Sequence, residues 1–336
     1  MMRIGTIGTG SIVNTFLSAL QEIEDASCVA MYSRKESTAR PFADKYNIPN
    51  IYTDLNEMLK DPSIDCIYIA SPNSYHYEHA FKALCSNKHV ICEKPFTSNV
   101  RELEDLMGLA KEKQRLLFEA ITTIHLPNYN LVKENIKKLG QIKFIQCSYS
   151  QYSSRYNDLL NGTTPNVFNP AFSGGALADI NIYNLHFVMN AFGSPLSVNY
   201  TANKHINGID TSGILVLKYD HFIAQCVGCK DTKSMNFVLV QGEQGYLHVE
   251  HGANGCRKIR IHIDDQQVEL NAQITDHKIY YELMAFIKIY NENDLKACYE
   301  LLDYSHSVMK VLDAAREVAG IVFESDNRAL LQRTST

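Results

Sequence analysis

Residues 3–13 read Arg3-Ile4-Gly5-Thr6-Ile7-Gly8-Thr9-Gly10-Ser11-Ile12-Val13. Arg3–Ile7 has the apolar, β-branched texture of a strand, and a helical pattern begins at Ser11. Two glycines between a strand and a helix suit a dinucleotide pyrophosphate. Gly8 makes the tight turn. Gly10 lets the backbone approach the phosphates, which then rest on the helix N-terminus, with Ser11 and Ile12 in its first turn. Val13 takes the third position of the fingerprint, where glycine or alanine is usual. An ordinary glycine-rich turn would show the same pattern, so its surroundings must decide.

Those surroundings alternate strand and helix. Ser11–Glu24 reads as a helix with Ile12, Phe16, Leu17 and Leu20 on one face, then Ser27–Tyr32 as a strand and Lys35–Tyr46 as a helix. Asp65–Ala70 is nearly all apolar, as expected of a strand covered on both faces. Tyr75–Ser86, His89–Cys92, Asn99–Lys113 and Leu116–Ala120 continue as helix, strand, helix and strand. Strands separated by helices imply parallel pairing through right-handed crossovers, hence an α/β Rossmann domain with a doubly wound parallel sheet over residues 1–120.

Beyond residue 120 the texture changes. A helix at Asn128–Lys138 precedes a long strand at Gln141–Tyr152, and a polar stretch runs from Asn157 to Gly175. Ala176–Phe192 reads as a helix. Leu196–Leu270 follows as successive strands with turn signals such as Asn207-Gly208. The tail, His277–Val322, is helical, with a cap at Gly320. Residues 121–336 are therefore expected to form an α+β domain with a largely antiparallel open sheet.

Bulk composition narrows the function. A chain of 336 residues with 45% hydrophobic and 21% charged residues is ordinary for a soluble globular protein. No apolar run approaches the ~20 residues that span a bilayer, so no membrane partner is expected. A net charge of −5 argues against nucleic acid as partner. Nine scattered cysteines and no secretory leader pattern point to reduced thiols and a cytoplasmic location. Cys226-Val-Gly-Cys229 lies in a strand-like stretch with no second pair near it, so it reads as small buried hydrophobes, and no metal site is expected.

Three further stretches carry chemistry. The tip of the second strand reads Tyr32-Ser33-Arg34-Lys35, with no carboxylate for a ribose 2′-hydroxyl. A hydroxyl and two cations there favour a 2′-phosphate, hence NADP, with NAD as the other cofactor considered. Two later strands end in Ser71-Pro72-Asn73-Ser74-Tyr75-His76 and in Glu93-Lys94-Pro95, at the carboxyl edge where open α/β sheets bind ligands. An ammonium at Lys94 could stabilise the alkoxide-like charge of hydride transfer. In Gly174-Gly175-Ala176-Leu177-Ala178-Asp179-Ile180-Asn181-Ile182-Tyr183-Asn184-Leu185-His186, the residues Asp179, Tyr183 and His186 share one helical face. A tyrosine beside an ammonium can transfer a proton. His186 reads better as a satisfied interior residue.

These motifs together resemble the glucose–fructose oxidoreductase / inositol dehydrogenase family (Gfo/Idh/MocA). The resemblance rests on the glycine fingerprint, Pro72-Asn73-x-x-His76, Glu93-Lys94-Pro95, Phe118-Glu119-Ala120 and the Gly174–Tyr183 motif, and it covers essentially the whole chain. It implies a catalytic Lys94 and places Tyr183 where the family has its proton-transferring residue. It also implies that Ser71, Pro72, Asn73, His76, Glu93 and Glu119 border the cofactor. Tyrosine rather than histidine at 183 resembles the dihydrodiol, xylose and glucose–fructose branch, commonly NADP-linked. A homo-oligomer, dimer or tetramer, built on the open sheet is implied as well. Asn181 departs from the family's usual glycine. Ile121–His125 lacks the aromatic and arginine frequent there, so His125 and its neighbours leave the substrate open.

The expected reaction is reversible hydride transfer between a nicotinamide and a carbinol carbon of a sugar, polyol or diol. Tyr183 would move the hydroxyl proton, Lys94 would steady the oxygen, and Asp179 would position the pair. A non-catalytic nucleotide-binding regulator would not need Lys94 and Tyr183 together. A hydrolase or lyase using NAD transiently is the third reading. A serine or metal hydrolase lacks its motifs.

Overall fold

The structure, a computed structural model, describes residues 1–331. Its N-terminal elements are β1 (Met2–Ile7), α1 (Ser11–Leu20), β2 (Ala26–Tyr32), α2 (Glu36–Tyr46), β3 (Asn50–Tyr52), α3 (Leu55–Lys60), β4 (Cys66–Ile69), α4 (His76–Cys85), β5 (His89–Glu93), α5 (Val100–Lys113) and β6 (Leu117–Ala120). The six strands form one sheet in the order β3-β2-β1-β4-β5-β6, with every pair parallel. The order reverses beside β1, so the carboxyl ends of β1 and β4 open a crevice at the switch point. Strand β4, Cys66-Ile-Tyr-Ile, is buried throughout, as its unbroken apolar run requires.

Three local readings change. Helix α1 stops at Leu20, four residues short of the expected end, because Gln21 caps it and a turn follows. Ile12 is exposed, and Val13 joins Phe16, Leu17 and Leu20 on the buried face. The ring of Phe16 stacks on Tyr68 at 3.7 Å, which sets α1 against β4. The edge strand β3 was not foreseen, since three residues are too few to show a period.

The second set comprises α6 (Pro127–Ile136), β7 (Ile142–Ser150), α7 (Tyr156–Leu160), α8 (Ile182–Phe192), β8 (Ser197–Lys204), β9 (Asp210–Lys218), β10 (Ile223–Cys229), β11 (Phe237–Gly242), β12 (Gly245–Glu250), α9 (Gly252–Gly255), β13 (Lys258–Ile263) and β14 (Gln266–Leu270). Its eight strands run in the order β14-β13-β12-β11-β7-β10-β9-β8, antiparallel except for β7 with β10. Ile145, Cys147, Leu215, Leu217, Cys226, Val238, Val240, Leu247 and Val249 bury one face. Tyr129 of α6 clamps α8 by donating its hydroxyl to the Phe187 carbonyl at 2.8 Å. Successive strand residues alternate faces, so Cys226 is buried opposite Cys147 while Cys229 points the other way. No disulfide forms among the described residues, and no cluster of three or more histidine, cysteine or carboxylate side chains could hold a metal.

The tail departs from the single boundary expected at residue 120. It forms two helices, α10 (Lys278–Glu292) and α11 (Leu295–Val318), separated where Asn293 takes a left-handed φ of 49°. By contacts, one compact unit joins residues 1–120 with Ile279–His306 and residues 327–331, and the other joins Ile121–Lys278 with Ser307–Asp326. The cause is the apolar face of α10. Ile279, Leu283, Phe286 and Ile287 enter the same core as Met2, Ile4, Phe16 and Tyr68, and Phe286 stacks on Phe118 of β6 at 4.4 Å.

Candidate functional site

In the first unit the glycine turn has the geometry of a phosphate cradle. Gly8 has a φ of +120°, and a Cβ there would lie 2.6 Å from the Ala70 carbonyl oxygen, so only glycine lets β1 turn against the end of β4. Gly10 is the N-cap of α1, and a Cβ built on it would meet nothing within 4 Å. The first helical turn follows directly, with Ser11 and Ile12 exposed and its first amides without helical acceptors. At the tip of β2, the Ser33 hydroxyl lies 2.5 Å from that of Thr38, which also donates to the Lys35 carbonyl at 2.8 Å. Arg34 is exposed beside them. Thr38 was not singled out from sequence, because one threonine in a first helical turn has no motif to mark it. The cradle and the cationic tip fit the diphosphate and 2′-phosphate of NADP.

The next two loops are braced by a histidine. His76 is buried, with Nδ1 2.9 Å from the Pro95 carbonyl and Nε2 2.9 Å from the Ser71 carbonyl. Burial holds its pKa below the ordinary value against those two hydrogen bonds. The ring lies between the Ser71-Pro72-Asn73 loop and the Lys94-Pro95 loop with a nitrogen against a carbonyl of each, and in its neutral form it donates to one of the two carbonyls at a time. His79 lies 2.9 Å through Nδ1 from the Ser71 hydroxyl, and desolvation lowers its pKa to about 4.

Beyond β5, Glu102 accepts from the Ser98 amide at 3.0 Å, and Asn99 caps the Glu102 amide at 3.0 Å. This capping pair starts α5 and fixes the loop that carries Lys94. Between Val90 and Asn99, Lys94 is the one residue that is not buried. Its neighbour Glu93 turns inward and accepts the Tyr68 hydroxyl through Oε1 at 2.6 Å. Glu119 stands opposite Cys92 on β6 and is buried too. A third carboxyl, Glu282 of α10, is fully buried near these two, and its Oε2 has no hydrogen-bond partner among the described residues. Desolvation first, then the charges of Glu93 and Glu119, push the Glu282 pKa well above the carboxylate range. Sequence reading missed Glu282 because a lone glutamate in an amphipathic helix looks like its solvated face.

In the second unit, α8 is preceded by a π-helical turn over Leu177–Asn181. Such turns are rare and recur at functional sites. The turn is anchored by the Asp210 carboxylate, which accepts the Leu177 amide at 2.6 Å and the Tyr200 hydroxyl at 2.7 Å. Asn181, the departure from the family glycine, donates to the Cys226 carbonyl at 3.0 Å. Strand β10 makes room for it with Gly228, whose Cβ would stand 2.6 Å from that of Asn181.

From Ser173 to Met189 every residue is buried except Asp179 and Tyr183. The helical face expected to carry chemistry therefore presents those two side chains and withholds His186, which lies in the interior. Asp179 pairs with Lys230, just past β10. The Tyr183 ring meets Tyr149 edge-on at 5.9 Å. His125 is held at a pKa of about 4, mainly by burial and then by the nearby Lys133 and His186.

Comparisons with known proteins identify the family and the fold. Residues 2–121 match the family model described as oxidoreductase family, NAD-binding Rossmann fold (GFO_IDH_MocA), and residues 130–248 match the GFO/IDH/MocA C-terminal domain. A scyllo-inositol 2-dehydrogenase (NADP(+)) of Bacillus subtilis is 35% identical, over 97% of this chain and 99% of its own. A mouse trans-1,2-dihydrobenzene-1,2-diol dehydrogenase is 24% identical, over 97% of this chain and 99% of its own. Among solved structures, the 3-ketoreductase KijD10 of Actinomadura kijaniata, in complex with NADP and TDP-benzene, has the same fold. Its TM-score is 0.84 at 21% identity, covering 94% of this chain and 97% of that one.

Proposed function

Because the chain belongs to the Gfo/Idh/MocA family of NAD-binding oxidoreductases, we propose that it is an NADP-linked dehydrogenase of a sugar, polyol or diol. The observation that carries the site assignment is selective exposure. Lys94 alone breaks the surface between Val90 and Asn99, and Asp179 and Tyr183 alone do so between Ser173 and Met189. Three interior-flanked polar residues, at positions named beforehand by motif, are the catalytic set.

When bound, the nicotinamide cofactor accepts or supplies the hydride. Gly8, Gly10, Ser11 and Ile12 hold the diphosphate, Ser33 and Arg34 hold the 2′-phosphate, and the loop Ser71-Pro72-Asn73 with Glu93, Lys94 and Glu119 borders the remainder. As the phenolate, Tyr183 takes the proton of the substrate hydroxyl, and as the neutral phenol it returns that proton in the reverse direction. Lys94 donates to the same substrate oxygen and lowers the energy of its developing negative charge. Asp179 sets the electrostatic balance of the pair. The names of the relatives, an inositol and a diol dehydrogenase, support a substrate with adjacent hydroxyls.

The test joins a cofactor titration to a substrate panel. Purified protein is expected to bind NADPH more tightly than NADH and to reduce NADP with an inositol, sugar or diol, followed at the reduced-nicotinamide absorbance. Arg34→Ala is expected to weaken NADPH binding by about ten- to a hundredfold, the loss of a charge-assisted phosphate contact, and to leave NADH nearly unchanged. Equal weakening of both cofactors would remove Arg34 from the 2′-phosphate site.

We also propose a homo-oligomer formed on the outer face of the eight-stranded sheet. Ile214 and Ile223 are exposed there, and the β9–β10 register sets Ile214 beside Val227. Light scattering is expected to report a dimer or tetramer, and a monomer at micromolar concentration would refute this. No described helix is long and apolar enough to cross a membrane. Nine cysteines with no disulfide suit the cytoplasm, which fractionation of the native host would check.

A further inference from the structure

Lys230 follows directly on β10, and its backbone is held from both sides. Its amide donates to the Thr211 carbonyl at 2.8 Å, and its carbonyl accepts from the Ser153 amide at 2.8 Å. The side chain is only 7% exposed, against 30% for Asp179, whose Oδ2 it contacts through Nζ. The ammonium also lies 5.8 Å from the centre of the Phe168 ring. The neighbouring Asp231 is engaged elsewhere, accepting through Oδ2 from the Thr211 and Ser212 hydroxyls at 2.8 and 2.7 Å.

Lysine is among the residues least often buried, because its charge loses hydration and its long stem loses rotamers. An ion pair so shielded adds little to stability over an apolar replacement, whereas removing one partner leaves a charge stranded. Stability alone is thus a weak reason for this pair. Its location supplies another. Asp179 sits in the π turn, four residues before Tyr183, and these two are the half-exposed positions of that segment.

We infer that Lys230 is a positioning residue for the proton-transfer step: it keeps the Asp179 carboxylate ionised and fixed in direction beside Tyr183. This rests on the site reading proposed above, and it assigns a role to a lysine outside every motif. Lys230 past β10 pairs with Asp179, Tyr183 follows four residues later, Asp210 accepts the Leu177 amide at the start of the π turn, and Asp231 adjoins Lys230 in sequence. Lys230 is the cation of that set.

The test is a double-mutant cycle on the full-length protein. Lys230→Met is expected to lower kcat by about tenfold or more, with NADPH affinity within threefold of wild type. Without the cation Asp179 protonates more readily, so the acidic limb of the pH–kcat profile should move to higher pH. Lys230→Arg is expected to restore part of kcat and return the limb toward its original place. In the Asp179→Asn background, adding Lys230→Met should change kcat by less than twofold, since the two residues act as one unit. That double variant also strands no buried charge, so it serves if Lys230→Met alone folds poorly. Additive losses in the cycle, or an unmoved acidic limb in Lys230→Met, would overturn the inference while leaving the site reading intact. Wild-type turnover in both Asp179→Asn and Tyr183→Phe would bring down the site reading itself, and this inference with it.

Discussion

Lys94→Ala is expected to reduce kcat by about a hundred- to a thousandfold, the usual consequence of removing one preorganised donor to a developing oxyanion. The reduction should fall on kcat and leave NADPH affinity within threefold of wild type, because the proposed diphosphate and 2′-phosphate sites lie at the ends of β1 and β2 rather than of β5. Lys94→Arg should not rescue it. The guanidinium is planar and longer, and the loop around Lys94 is pinned by the His76 brace and the Asn99–Glu102 cap. Single-turnover measurements with saturating NADP separate the chemical step from cofactor binding. A variant that turns over within fivefold of wild type would remove Lys94 from the reaction.

Glu282 leads to the second large effect, on stability. In the unfolded chain its carboxyl titrates near 4.3. In the folded protein, burial and then the charges of Glu93 and Glu119 keep it protonated to much higher pH. The folded state therefore binds the extra proton, and the stability tied to this group is complete below about pH 4.3 and is lost as pH rises toward the folded value. Each pH unit in that window costs about 1.4 kcal/mol. Glu282→Gln keeps the shape, and it cannot ionise. It should therefore be more stable than wild type at pH 8, with the advantage shrinking toward pH 4.5. Urea unfolding across that range gives the answer. A glutamine variant less stable than wild type at pH 8 would mean that the Glu282 carboxyl is needed in its charged form.

What could be read beforehand, and what could not, divides along physical lines. The turn at Gly8 and Gly10 was legible because a strand, two glycines and a helix start leave few other conformations. That Asp179 and Tyr183 both break the surface of a buried segment was legible because four-residue spacing puts side chains on one face, even with the π turn between them. Lys230 and Glu282 were not. A lysine after a strand and a glutamate in an amphipathic helix are commonest on solvated surfaces, and only the fold shows these two buried. The attachment of α10 was hidden for a related reason. Its apolar stripe says that something must cover it and does not say what. Asn181 read as a departure from a family pattern until Gly228, 47 positions later in the chain, supplied the missing space.

The placement of α10 bears on how the protein is made. On a ribosome the cradle and the whole parallel sheet emerge long before residues 279–306 do. Until that late segment arrives, the surface around Phe16, Tyr68 and Phe118 lacks the Ile279, Leu283 and Phe286 side chains that complete its core. The nucleotide-binding half must then wait, partly open and greasy, for most of its own chain to be synthesised. A holding chaperone or early cofactor capture would be of most use during that interval. For the same reason, a chimera joined at residue 120 would inherit the strands without their lid, and a working graft would carry α10 with them.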